Sequence, residues 1–151
     1  MRYSFKIILI TVISATISVS CNRSPRDGKG LSKSEKEYIR GLGLLEENET
    51  IFLFDGQSGF ETSGNFFTDK RIATYWIDKR DEDKSSIDFA FYNEIDTILT
   101  KDLSRALTYA SYMEVVKNDG KTFKVYVDGD STEVQTFFDR AMSEWRIKNN
   151  R

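Results

Sequence analysis

The sequence predicts a mainly β domain of the α+β class: about seven short antiparallel strands, a short helix before them and one amphipathic helix after them. Three observations carry this prediction. Between residues 50 and 127, short runs of β-branched, aromatic and apolar residues alternate with a period of two and are separated by turn residues. From residue 134 the period changes. Val134, Phe137, Phe138, Ala141, Met142 and Trp145 follow one another at spacings of 3, 1, 3, 1 and 3, which places them on a single helical stripe. Ahead of the strands, Ser32 and Glu35 have the spacing of a capping box.

In a capping box the serine oxygen and the glutamate side chain satisfy the free amides at a helix start. The helix is predicted to run to about Leu42, with Gly41 and Gly43 suited to its end because glycine accepts the left-handed conformation. "TIFLFD" then reads as an apolar strand closed by the turn pair Asp55-Gly56. "FETSGNFF" reads as a second strand, weakened by Gly64. "RIATYWI" follows a tight connection at Thr68, Asp69 and Lys70 and is rich in β-formers. "SIDFAFY" alternates, which predicts Ile87, Phe89 and Phe91 facing inward and Asp88 outward. "EIDTILT" is a fifth strand. "SYMEVVK" and "TFKVYV" meet through Asn118, Asp119 and Gly120, a strong hairpin signal. Asp130 and Glu133 are spaced to cap the last helix, and Lys148 and Arg151 suit its negative end.

The N-terminus has a different character. Arg2 and Lys6 precede an apolar run, residues 7–19, that contains only Ile, Leu, Val, Ala, Ser and Thr. As a helix this run spans about 20 Å, whereas a membrane-spanning helix needs about 20 residues. A positive start, a short apolar middle and small residues at the end predict a signal peptide over residues 1–20. An uncleaved N-terminal anchor is the alternative. The one cysteine, Cys21, follows Ser18, Val19 and Ser20. This stretch resembles the lipobox of bacterial lipoproteins, in which the cysteine becomes an acylated N-terminus. Val19, Ser20 and Cys21 match; Ser18 stands where an aliphatic residue is usual, and Ser18 and Ser20 would also suit an ordinary signal peptidase. The resemblance implies lipidation at Cys21, a stable membrane anchor if two or three chains are attached, and a place in the bacterial cell envelope, periplasmic or on the outer face of a membrane. Residues 21–30, "CNRSPRDGKG", hold the only proline and are predicted to be a flexible tether, with Arg23, Arg26 and Lys29 near head groups or in solvent. The folded domain is predicted over residues 31–151.

Composition narrows the function. Residues 22–151 carry all 24 acids and all but two of the 22 basic residues, a net charge of about −4. Such a chain is a poor match for nucleic acid, which needs basic clusters. There is no histidine, the commonest general base and transition-metal ligand. No thiol follows Cys21, so a Cys/His zinc site is not expected. Neither a Gly-x-Ser-x-Gly elbow nor a phosphate-binding glycine loop is present. "DKRDEDK", residues 78–84, could hold calcium through Asp81, Glu82 and Asp83, but reads better as a solvated loop. "DGDSTE", residues 128–133, lacks the twelve-residue calcium spacing and reads better as a helix cap. No catalytic residue, metal or cofactor is expected, and the chain is read as a non-enzyme. Trp76 and Trp145 read as core before ligand platforms.

Seven antiparallel strands ended by one amphipathic helix are the order of the pleckstrin-homology (PH) fold. "LLEENETIFLFDG", "GNFFTDKRIATYW", "IDFAFYNEIDTI", "DGKTFKVYV" and "FFDRAMSEW" resemble the pattern of bacterial PH-like domains, over about residues 40–148. The marks are the glutamates at 46–49, the "TDKR" turn at 68–71, and Tyr92 with Ile95. The resemblance implies a partly open barrel of two nearly orthogonal sheets, plugged at one end by the helix. Phosphoinositide binding in that family uses basic residues between the first two strands. Here that loop, "DGQSGFETSG", has no Lys or Arg, so no phosphoinositide is expected. The expected function is a membrane-tethered module that binds a protein or peptide; the alternative is a small ligand or lipid head group in the barrel cavity. The excursion "DLSRALTYA" reads as helical or irregular; a helix would place Leu103, Ala106 and Leu107 on one face, a candidate interaction surface together with Lys70 and Arg71 beside the third strand, and the alternative is a local turn that packs on the barrel.

Overall fold

The structure, a computed structural model, describes residues 25–106 and 109–149. Its strands are β1 (Arg26–Asp27), β2 (Ile51–Asp55), β3 (Ser63–Thr68), β4 (Arg71–Trp76), β5 (Ser86–Phe91), β6 (Ile95–Lys101), β7 (Ser111–Lys117) and β8 (Thr122–Val127). Helix α1 (Lys33–Gly41) lies between β1 and β2, and α2 (Ser131–Lys148) ends the chain. All pairings are antiparallel. They make a five-stranded sheet in the order β1-β2-β3-β4-β5 and a three-stranded sheet in the order β6-β7-β8.

The local signals explain the element ends. Ser32 and Glu35 close both bonds of the capping box on α1, and Gly43 takes a φ of 76° just beyond it. Asp130 accepts from the amides of Thr132 and Glu133 at the start of α2, while Glu133 accepts from the Asp130 amide. The acids at 128–133 therefore work as the predicted cap. Gly120, at φ 81°, turns the β7–β8 hairpin.

The five-stranded sheet is buried on both faces. One face holds Leu53, Phe67, Ile72 and Ala90, packed against Met113, Val115 and Val125 of the small sheet and Val134, Phe137, Phe138 and Ala141 of α2. The predicted stripe is thus the plug of the barrel. The other face holds Phe54, Phe66, Ala73 and Tyr75 under Ile39 of α1 and Leu44. Every residue of β3 is buried as a result. Gly64 fits this crowding: a Cβ there would stand 2.3 Å from the Tyr75 ring, its cross-strand neighbour.

Two expectations change. Residues 26–30 are part of the fold rather than a free tether. Arg26 and Asp27 pair with Phe54 and Leu53, Arg26 forms an ion pair with Glu35 and lies 5.3 Å from the Phe54 ring centroid, and Gly28 is packed against the Ile51 backbone. Arg26 and Gly28 have long-range partners that composition does not show. β5 also faces the opposite way. Ala90, opposite Ile72, enters the main core, while Phe89 packs on the α1 side and Ile87 is 43% exposed. Alternation fixes which residues share a face, not which face is covered.

Candidate functional site

Asp55, Asn65, Thr74 and Asp88 are cross-strand neighbours on β2, β3, β4 and β5. They form a polar row across the large sheet, next to the apolar row of Phe67, Ile72 and Ala90. β8 leans over this row. The Asp128 amide, just past β8, donates to Asp55 Oδ2 at 2.5 Å, and the Tyr126 amide donates to Asn65 Oδ1 at 2.9 Å. The same Asn65 oxygen accepts from Thr74 Oγ1 at 2.8 Å.

Beyond these contacts the sheets part, and a cleft of about 530 Å³ opens. Asn65, Thr74, Trp76 and Asp88 line one side, and Thr122, Lys124 and Tyr126 the other. Asn65 Oδ1 is fixed by two donors, and the Nδ2 of this cleft-lining residue makes no hydrogen bond among the described residues. The Asp88 carboxylate likewise has no hydrogen bond or ion pair among the described residues. Trp76 is 43% exposed at the mouth, against the expectation that it would be core; Trp145 is core. Trp76 is the last residue of β4, where the sheets separate, so among the described residues its ring is only partly covered.

At the other end of the row, burial pushes the Asp55 carboxyl up to about 7, and the nearby carboxylates of Asp128 and Glu133 add to this. The unfolded chain gives up this proton near the ordinary aspartate value of about 4. Between about pH 4 and 7 the folded state therefore holds the extra proton, and this group's contribution makes stability fall as pH rises. Asp55→Asn keeps an acceptor for the Asp128 amide and removes the titration. Urea midpoints measured from pH 4 to 8 are expected to show the variant gaining on the wild type as pH rises; a constant difference would contradict this.

The predicted surface residues are not brought together. Arg71 is 3% exposed. Its Nε and Nη2 donate to the two oxygens of Glu49 at 2.9 and 2.7 Å, and its guanidinium lies 5.1 and 4.5 Å from the ring centroids of Phe89 and Phe91. It is a buried structural cation, not a docking residue. Lys70 pairs with Glu46 at 2.6 Å. The glutamates and the "TDKR" turn are thus one network: Thr68 Oγ1 donates to Glu49 at 2.5 Å, and the Tyr92 hydroxyl donates to Thr68 O at 2.6 Å. Residues 102–106 take the turn reading rather than the helical one. The Leu103 amide is held by Ser111 Oγ at 2.8 Å and its side chain is half-buried, whereas Ala106 is exposed. Leu107 and Cys21 lie outside the described residues. Sequence reasoning missed Asn65, Thr74 and Lys124. Polar Asn65 between Gly64 and Phe66 in a buried strand was the available signal.

No family model matches the chain, and no curated protein matches it. Among solved structures it is similar to a DUF1696 family protein with a pleckstrin-homology domain from Shewanella loihica PV-4. The TM-score is 0.51 at 12% identity, over 81% of this chain and 95% of the other. The fold is PH-like. At this identity the likeness concerns architecture alone. No helix of the described residues is long and apolar enough to cross a membrane.

Proposed function

We propose that this chain is a non-enzymatic binding module of the bacterial envelope, tethered to a membrane through lipid on Cys21, which binds a protein partner in the cleft between β8 and the polar row. The cleft carries this reading. It joins free hydrogen-bonding groups, one unpaired carboxylate and the exposed Trp76 ring in one concave site. Tethering supports it from the sequence side. The described chain begins at Pro25, beside Gly129. The four residues 21–24 reach at most about 14 Å, so an acylated Cys21 would hold the Gly129 end of the domain near the membrane. Confinement there raises the effective concentration toward membrane-associated partners.

A small polar ligand is the second reading, favoured by a cleft volume within the usual range for such sites. In-cell cross-linking of the full chain in a bacterial host, with membrane fractionation, separates the readings. A specific protein adduct in the membrane fraction, lost when Cys21→Ala releases the chain, is expected. A membrane-bound chain with no protein adduct would move the assignment to the small ligand. A chain that is soluble with Cys21 intact would overturn the tether.

A further inference from the structure

We infer that the cleft takes an extended peptide segment with a basic side chain, added as a strand on the free edge of β8; this rests on the binding-module reading above. The argument begins with a series that stops. Along the edge of β8, the outward amides of Asp128 and Tyr126 are taken by Asp55 and Asn65. In an antiparallel ladder, backbone groups turn outward at every second residue. Lys124 therefore presents its N–H and C=O in the same direction as Tyr126. The polar row has by then reached Thr74 and Asp88, and here the cleft opens instead of a third contact forming. One free donor beside one free acceptor on a strand edge is the pattern an extended peptide completes.

The surrounding groups set the occupant's chemistry. Asn65 Nδ2 offers a donor to a peptide carbonyl from the floor. Asp88 offers an unpaired negative charge, which a Lys or Arg side chain would neutralise. Trp76 at the mouth suits the stem of such a residue, and its ring face attracts the cation. The Lys124 ammonium does not compete, since it lies 4.4 Å from the Tyr112 ring centroid on the outer face of the small sheet. The acidic net charge points the same way.

The test uses phage-displayed random heptapeptides selected on the full chain in detergent. Selected peptides are expected to be enriched in Lys or Arg and to slow hydrogen exchange of the Lys124 amide. Lys124→Pro, which removes the outward N–H without breaking a β7–β8 hydrogen bond but also fixes φ and removes the side chain, is expected to weaken the selected peptides about tenfold relative to Lys124→Ala, the effect of one hydrogen bond of about 1.4 kcal/mol. Lys124→Ala, which keeps the amide, is expected to bind almost as the wild type does. Should the proline variant fail to fold, amide protection in the wild type decides. Peptides that bind equally well to Lys124→Pro, protect other amides or lack basic residues would overturn the strand-addition inference and leave the binding module standing. No selected peptide would overturn it as well, and the cellular cross-linking then judges the module independently.

Discussion

Arg71→Ala is expected to destabilise the domain by about 3–5 kcal/mol, because it leaves Glu49 as an uncompensated buried charge. The Glu49 side chain is fully buried, and both its oxygens accept from the Arg71 guanidinium. Thr68 Oγ1 and the Glu46 amide donate two further hydrogen bonds to it, which cannot replace a cation. The loss also leaves Phe89 and Phe91 without the flat group they pack against. Lys70→Ala, one residue earlier, removes an exposed, solvent-screened pair with Glu46 and is expected to leave the midpoint nearly unchanged. Urea unfolding of the two variants checks this contrast. Similar midpoints for both would mean that the Glu49 site is hydrated, against its burial.

Phe137→Ala is expected to cost a similar amount, about 3–5 kcal/mol, for a different reason. Phe137 is fully buried where α2 enters the barrel, and its ring meets Phe67 edge-on at 5.2 Å between centroids. Truncation removes the transfer energy of the ring and leaves a cavity between two sheets that cannot easily close. Ile147, on the same helix but 63% exposed, is expected to tolerate alanine within about 0.5 kcal/mol. Calorimetric melts of both variants would show whether α2 is the plug of the core. Equal, small effects would mean that the helix docks weakly.

Much of the architecture is legible in the sequence because its signals are local. The α2 stripe, both capping boxes and the Gly120 hairpin each lie within one turn or one hairpin, and each appears as expected. The facing of β5 was not legible, because the second apolar cluster depends on α1 covering the far side of the sheet. Residues 26–30 looked like linker because Arg26 finds Glu35 and Phe54 only after folding. Lys70 and Arg71 look alike as neighbouring cations; only the tertiary partners separate a surface pair from a buried one. The cleft is the least legible feature. Its row joins residues from four strands, at positions 55, 65, 74 and 88, and its free edge belongs to a fifth. No motif spans such distances.

The central claim is that the cleft is where this chain meets its partner. A photo-reactive residue placed at Trp76, in the full chain expressed in a bacterial host, tests it most directly, with Ile147 on α2 as the comparison site. The expected result is a specific protein adduct from Trp76 and none from Ile147. Adducts from Ile147 alone, or equally from both positions, would contradict the account.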